Sequence, residues 1–255
     1  MRIKALTPLF ILLAMTLSCS ALAQPGSGNL AEGWAMTVKK GQQVNFEAAF
    51  KAHGAIRKEN GDPRNWSVYV PVTGDDLTVY FVRTCCYAWA DQDAYTEWES
   101  QHPAVMTDWF ENVDQYVENY GHYFTEMDWD NSHWNEGQVV RYVGVTDYAI
   151  LPGKAAEFHA ARRELSQIAI NQGWADDHSW AWSDQVGGKP SASLVVPFAS
   201  FADMGDDEES FYNFIIEHKG QEGAAALVEN FADSVKGSKY SIWAHRPDLS
   251  TGNSD

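Results

Sequence analysis

The sequence predicts an α+β protein in which one βαββαβ arrangement of elements occurs twice. Three observations support this: matched residues at a constant spacing, an alternation of strand-like and helix-like apolar patterns, and glycine-containing turns between them. The 255 residues are 45% hydrophobic, a normal value for a globular protein and too high for a chain that is mainly disordered.

The duplication consists of matched residues that lie 112 positions apart. The clearest pairs are Gly41 and Gly153, Phe46 and Phe158, Ala48 and Ala160, Ala49 and Ala161, Ile56 and Ile168, and Gly61 and Gly173. Pairs of alanine and glycine arise easily by chance. The unbroken register and the similar apolar patterns nevertheless favour a real duplication.

In the first copy, apolar residues at every second position predict a half-buried strand over residues 34–38. A helix is predicted from Gln43 to Gly61, because apolar residues and His53 recur there at helical spacing. Two β-rich segments follow, residues 66–72 and 77–87, and a turn-forming sequence joins them into a hairpin. A second helix is predicted from Pro103 to Gly121, with a last strand over residues 123–125.

The second copy repeats this order. Its first helix has a stripe of apolar residues at helical spacing and ends at Gly173. Its hairpin joins residues 178–183 to residues 192–200. A second helical stripe ends at Gly237, and residues 240–243 form the last strand. Residues 130–140 are polar and predict a linker, and residues 247–255 predict a flexible tail.

The order βαββαβ is that of the ferredoxin-like split βαβ fold, whose antiparallel sheet carries both helices on one face. By element order and duplication over residues 33–129 and 141–246, the chain resembles the dimeric α+β barrel superfamily, with the usual dimer fused in tandem. That superfamily includes small monooxygenases, stress-responsive barrel proteins and haem-handling proteins such as chlorite-dismutase-like enzymes. The resemblance implies two tandem ferredoxin-like repeats that form an intramolecular barrel. It assigns no catalytic residue, because no family-specific motif is present.

The first 23 residues have the pattern of a secretory signal peptide. A basic start is followed by an apolar run over residues 5–17 and by the small-residue site Ala21-Leu22-Ala23. Cleavage after Ala23 predicts a periplasmic or secreted protein that is not membrane-bound. The formal charge of −17 argues against nucleic acids and anionic membranes as partners. We expect a small-molecule ligand and a monomer with an internal pseudo-dimer, or a higher oligomer of it.

Two residues are candidate catalytic groups. His53 lies on a helical stripe where the second copy has Leu165, so it is either a general base or axial haem ligand in a cavity, or a hydrogen-bonded core histidine. Arg83 lies on the same strand face as Val79 and Phe81. It either grips a ligand carboxylate in a cavity or pairs with a surface acid at the barrel end.

Aromatic residues near the hairpins are candidate ligand contacts. His178, Trp180 and Trp182 alternate and would share one strand face, and Trp66 begins the matching segment of the first copy. They form either an aromatic wall for a flat or sugar-like ligand, or packing of the barrel.

Cys85 and Cys86 are adjacent and would meet an oxidising compartment after export. They are either a vicinal disulfide or two thiols on opposite faces of a strand. No metal site is predicted, because no group of ligands has a metal-binding spacing.

Two functions follow from these patterns. The first is an exported small-molecule-binding protein whose ligand lies in an aromatic-lined cavity between sheet and helices. The alternative is an enzyme, either a cofactor-independent monooxygenase or a haem-dependent one, that uses His53 as base or axial ligand. Haem is the cofactor that the resemblance to haem-handling barrel proteins implies.

Overall fold

Eight antiparallel strands close into a barrel in the computed structural model of the chain, which describes residues 28–135, 137–205 and 210–252. The predicted signal peptide lies outside the described residues. The strands follow one another around the barrel in the order β1-β3-β2-β8-β5-β7-β6-β4. The predicted mixed α+β barrel is therefore confirmed.

The first half supplies four strands and three helices. They are β1 (Leu30–Val38), α1 (Gln43–Glu59), β2 (Ser67–Pro71), β3 (Val79–Tyr87), α2 (Trp89–Gln101), α3 (Pro103–Asp108) and β4 (Val117–Met127). The second half supplies β5 (Tyr142–Ile150), α4 (Ala155–Asn171), β6 (Ala181–Val186), β7 (Ser191–Phe198), α5 (Phe211–Ala232) and β8 (Val235–His245). The halves meet where β2 pairs with β8 and β4 pairs with β6.

Each strand presents one face to the helices and the other to the barrel interior, because successive side chains point to opposite sides. In the first half, Met36, Val68 and Val82 face outward and pack against Phe46 and Phe50 of α1. In the second half, four large rings fill the corresponding space between sheet and helices: Tyr148, Phe158, Trp182 and Phe231. The two halves thus share an architecture but differ in how completely that space is filled.

The segment between β3 and β4 differs from the prediction of one helix that ends at Gly121. The chain forms α2, α3, a π-helical turn over Trp109–Val113 and a short 3-10 turn before β4 begins at Val117. Helix α2 was not predicted because Tyr95 is its only buried residue, so its sequence carries almost no apolar stripe. Gly121 and Gly237 lie within β4 and β8 instead of ending helices.

The C-terminal tail was expected to be flexible, yet it packs against the first half through Gly252. Leu249 is 3% exposed and belongs to the first-half core. The backbone N–H of Trp66 donates to Thr251 Oγ1 at 2.9 Å, and the N–H of Thr251 donates back to the Trp66 carbonyl. These contacts could not be predicted from the sequence, because the tail is mostly polar. In the described part of the chain, no helix has the length and apolarity needed to cross a membrane.

Candidate functional site

A cavity of about 260 Å³ opens in the first half between the outer face of the sheet and helices α1 to α3. Six aromatic side chains line it: Trp34, Phe50, Trp66, Tyr95, Trp109 and Tyr120. His53 of α1 and His122 of β4 also line it. His53 and Trp66, two residues singled out in the sequence, therefore face one cavity.

His53 is buried and is oriented by a carboxylate. Its Nδ1 lies 2.8 Å from Oδ2 of Asp108, at the end of α3, and Asp108 in turn accepts a hydrogen bond from the Asn112 side chain. The ring also meets Trp109 edge-on, with centroids 5.1 Å apart. A carboxylate at Nδ1 favours the tautomer in which Nδ1 carries the hydrogen, which leaves Nε2 as a proton acceptor.

Arg57 lies one helical turn after His53 and adds positive charge beside that acceptor. Its Nη1 is 3.4 Å from His53 Nε2, a long and weak contact. The same guanidinium is held by Asp62, through a 2.6 Å hydrogen bond from Nε, and by the Tyr95 hydroxyl. A guanidinium can only donate, so its position supports the assignment of Nε2 as acceptor.

A second histidine–carboxylate pair lies on the sheet side of the cavity. His122 Nε2 is 2.8 Å from Oε1 of Glu32, and the His122 ring stacks on Trp34 with centroids 3.9 Å apart. Glu32 also accepts hydrogen bonds from Arg64, from Tyr87 and from the Trp34 indole. The Glu32 and Arg64 side chains are 5% and 7% exposed, so this is a buried ion pair.

Titrating groups in the cavity are shifted in opposite directions. Burial lowers the pKa of His53, although the hydrogen bond to Asp108 opposes part of that effect. Burial raises the pKa of Glu99, which also lines the cavity, and the positive charge of Arg57 opposes that rise. A neutral imidazole and a carboxyl group that holds its proton more strongly are suited to acid–base chemistry.

Comparison with known proteins gives relatives by fold alone. No family model matches the sequence, and no curated protein matches it. The structure is similar to a monooxygenase-like protein of Lactobacillus acidophilus, with a TM-score of 0.55 and 7% identity over 88% of this chain and 95% of that one. A monooxygenase-like protein of Fusobacterium nucleatum gives 0.55 at 9% identity, over 86% and 93% of the two chains. A chlorite dismutase of Candidatus Nitrospira defluvii gives 0.50 at 9% identity, over 87% and 93%.

The chain has the dimeric α+β barrel fold. In this barrel, packed side chains occupy the region of the second half that matches the cavity around His53. There, Arg162 spans the gap and pairs with Asp128 at 2.6 Å and Asp184 at 2.8 Å. Together with the four packed rings, this buried cluster fills the space that the first half leaves open.

Haem is implied by some members of this fold family, and the residues around His53 do not fit it. Nδ1 of His53 is held by Asp108, and the Arg57 guanidinium beside Nε2 would repel an iron ion. The cavity of about 260 Å³ is also smaller than the pockets of roughly 300–1,000 Å³ that hold drug-sized ligands. No cluster of three or more metal-ligating side chains occurs among the described residues.

Arg83 does not line the cavity of His53. It pairs with Gly33 across β1 and with Ser67 across β2, so it points into the barrel, on the opposite face of the sheet from Glu32 and Trp34. It shares that face with Phe81, as the two-residue period predicts. Arg83 and His53 lie on opposite sides of the sheet, so the two residues do not act on one bound molecule.

His178, Trp180 and Trp182 do not form one wall. Trp180 and Trp182 are 8% and 5% exposed and belong to the core of the second half. His178 precedes β6, stacks on Trp174 with ring centroids 3.8 Å apart and borders a separate, open surface depression. The chain is irregular before Ala181, so the strand alternation assumed for these residues does not extend back to His178.

Cys85 and Cys86 are joined as a vicinal disulfide at the end of β3. The peptide between them is cis, and their Cα atoms are 3.0 Å apart, closer than in a trans peptide. Tyr87, the next residue, donates to Glu32 of the cavity.

The charged and titrating residues of the site that were not predicted from the sequence include Glu32, Arg57, Asp108 and His122. Two of them carry a local signal. Glu32 is in phase with Trp34 and Met36 on β1, which marks a carboxylate on a buried face, and Arg57 is one turn from His53 on α1. Asp108 and His122 reach the cavity only through tertiary packing, and no spacing in the sequence indicates them.

The lowered pKa of His53 predicts that stability falls on mild acidification. An unfolded histidine titrates near pH ~6.5, so below that pH the unfolded chain binds a proton that folded His53 resists. We expect the free energy of unfolding to decrease as the pH drops below about 6.5, and to decrease less in His53→Gln. Urea titrations at several pH values measure both slopes. Burial also lowers the pKa of His245, so some dependence remains in the variant, and equal slopes would contradict the assignment.

Proposed function

We propose that the protein binds a small, largely apolar molecule in the cavity of the first half, and that His53 removes a proton from it. The observation that carries the proposal is the His53–Asp108 pair, 2.8 Å apart, at the wall of an aromatic-lined cavity. A buried neutral histidine held by a carboxylate is the arrangement of a general base.

His53, Asp108 and Arg57 have different roles in proton removal. His53 Nε2 takes the proton of the bound molecule, and Asp108 stabilises the imidazolium that forms by accepting from Nδ1. The guanidinium of Arg57, next to Nε2, stabilises the negative charge that is left on the bound molecule. Arg57 is itself fixed by Asp62 and Tyr95, so this charge is in place before the reaction.

The walls define the class of molecule. The cavity volume restricts the ligand to one smaller than a typical drug, and the aromatic rings favour a flat molecule such as a substituted benzene or a small aromatic ketone. A ligand with one polar group fits best, because the polar side chains are grouped around His53 and around Glu32.

A second candidate is a cofactor-independent monooxygenase, which the similarity of fold to monooxygenase-like proteins favours. In that reaction His53 would first remove a proton from a CH₂ group next to a carbonyl. Molecular oxygen would then oxidise this carbon to C=O, with its second oxygen leaving as water. Consumption of dissolved oxygen in step with substrate distinguishes this reaction from proton transfer or binding alone.

We further propose that the two halves are tandem ferredoxin-like repeats within one monomer, and that the protein is exported. The strand orders β4-β1-β3-β2 and β8-β5-β7-β6 support the repeat, because each half places its strands in the same sequence. The amino-terminal pattern supports export. Mass measurement of the chain secreted by a bacterial host tests cleavage after Ala23, and light scattering tests the monomer.

Ligand binding should be visible as a change in tryptophan fluorescence during a screen of small aromatic compounds. We expect Trp109→Phe to remove most of the change, because its indole lies against His53 in the cavity wall. Trp129→Phe is the matched control, since Trp129 is 45% exposed and does not line the cavity.

The variant His178→Ala shows, in the same screen, in which half of the barrel the ligand binds. If ligand binds in the first-half cavity, this variant responds as the wild type does. A response lost in His178→Ala but kept in Trp109→Phe would place the ligand in the second half and contradict the proposal.

A further inference from the structure

The interior of the barrel is a second space, separated by the sheet from the cavity of His53. In β3, residues that face the helices are buried, whereas Phe81 and Arg83, which face the interior, are partly exposed. Tyr69 and Trp243, on β2 and β8, also point inward and are partly exposed. An eight-stranded barrel has an interior that side chains either fill or leave open for one small ligand. The partial exposure of these inward rings indicates the second case.

Arg83 points into this interior with little to satisfy its guanidinium. One hydrogen bond is formed, from Nη2 to Sδ of Met127 at 3.1 Å, and thioether sulfur is a weak acceptor. The neighbouring charged or titrating groups are the hydroxyls of Tyr69 and Tyr87, and burial lowers the pKa of Arg83. A cation that faces the interior of a barrel without a counter-ion is costly, and its five N–H donors need acceptors.

The described strands offer Arg83 no carboxylate. Among their inward-facing residues, Asp147 of β5 is the single acid, and it is paired across the sheet with Lys239 of β8. The Asp147 carboxylate is exposed and accepts a 2.6 Å hydrogen bond from the Ser193 hydroxyl. Lys239 is exposed and forms its ion pair with Asp75 at 2.8 Å, whereas Arg83 has no ion-pair partner among the described residues.

The surroundings of Arg83 are flat and aromatic. Phe81 precedes it on the same face and lies 6.2 Å, centroid to centroid, from the ring of Trp243. Gly33, opposite Arg83, makes room for the Phe81 ring, since a Cβ at this position would lie 2.4 Å from Cζ of Phe81. Tyr69 lies beside Arg83 and 5.2 Å from the ring of His245. A planar cation among aromatic rings matches an aromatic or short-chain carboxylate better than a strongly hydrated inorganic anion.

We propose that the barrel interior binds a small carboxylate-bearing molecule at Arg83, at a site separate from the cavity of His53. The carboxylate accepts two hydrogen bonds from the guanidinium fork, and its organic part lies against Phe81 and Trp243. The site is independent of proton transfer at His53, so either proposal can fail without the other.

Thermal unfolding of the purified chain with benzoate tests this site, with benzamide as the neutral analogue and sulfate as the inorganic anion, all at constant ionic strength. We expect benzoate at a hundredfold excess over its Kd to raise the Tm by about 5 °C, and benzamide and sulfate to leave it unchanged. In Arg83→Met the benzoate effect should disappear, while the ligand-free Tm stays the same or rises, because an uncompensated buried charge is removed.

The matched control is Arg141→Met, because Arg141 is an exposed arginine just before β5 and should keep the full benzoate response. Arg83→Lys keeps the charge but loses the fork, and we expect it to bind benzoate about tenfold more weakly. If Arg83→Met does not fold, the benzoate affinity of Arg83→Lys tests the proposal instead. An unchanged benzoate response in the Arg83 variants, an equal response to sulfate, or no response of the wild type to benzoate, acetate or phenylacetate would each overturn the proposal.

Discussion

Replacing His53 by alanine should lower the rate of proton removal from a bound compound by about 10²–10⁴-fold, the usual contribution of a general base. The compound is the strongest binder from the fluorescence screen that carries a C–H bond next to a carbonyl. Its exchange with D₂O, followed by mass spectrometry, measures the rate without knowledge of the natural substrate. Asp108→Ala should reduce the rate less, because His53 keeps its nitrogen but loses the group that orients it.

The matched control for this experiment is His102→Ala. His102 also contacts a tryptophan ring, that of Trp98, and its Nδ1 also bonds to an oxygen, but it does not line the cavity. We expect it to exchange deuterium at the wild-type rate. Exchange at the wild-type rate in His53→Ala, with binding intact, would mean that His53 is a structural core histidine, the alternative that its position on α1 also allows.

Glu32→Ala should be the most destabilising single substitution at the cavity, with a loss of about 3–5 kcal/mol in the free energy of unfolding. Glu32 accepts hydrogen bonds from Arg64, Tyr87 and Trp34, and the variant leaves the buried guanidinium of Arg64 without its carboxylate. The cost arises from this uncompensated charge more than from the lost attraction. Urea unfolding of the two proteins measures it directly.

Two further variants test whether the loss of stability arises from the buried charge. Glu32→Gln keeps the shape and an acceptor oxygen, so we expect a loss between that of alanine and zero. Asp75→Ala removes a partner from the Lys239–Asp75 pair, which is exposed on the surface, and should cause no measurable change. If Glu32→Ala and Asp75→Ala were equally stable, the cluster on Glu32 would not be a buried ion pair in solution.

The contrast between the halves explains why one of them holds the site. In the first half, small gaps among Trp34, Trp66 and Trp109 remain open beside two histidines. In the second half, Arg162 and its two carboxylates occupy the corresponding region together with packed rings. The barrel thus has one open cavity and one filled region, which fits the absence of a matched acid–base pair in the two halves of the sequence.

The α+β barrel could be predicted from the sequence because it depends on local patterns. Alternation along β1 and the helical stripe of α1 are properties of neighbouring residues, and the pairs from Gly41 with Gly153 to Gly61 with Gly173 show that the pattern occurs twice. The prediction failed where the local signal was weak. Helix α2 has a single buried residue, Tyr95, and the tail near Leu249 is short, so neither segment has a clear pattern of apolar residues.

The candidate site was only half predictable. His53 stood out because a histidine replaced a leucine within an apolar stripe, and Trp66 stood out by its place in the hairpin. Asp108 comes from α3 and His122 from β4, far along the chain, and they become neighbours of His53 and Glu32 only when the helices fold over the sheet. The two-residue period placed Arg83 on a face correctly, but it could not say which side of the sheet that face was.

The sequence by itself therefore determined the class of fold, because this follows from the periodicity of apolar side chains, and it determined which residue types are available for chemistry. Only the tertiary structure decided which of these residues meet. Successive side chains of each strand point to opposite faces of the closed sheet, so Glu32 of β1 joins His122 at the outer cavity while Arg83 of β3 faces the barrel interior. Contacts between residues distant in sequence decide on which side of the sheet a group lies and which charges surround it. These contacts therefore set the protonation and the function proposed for each group.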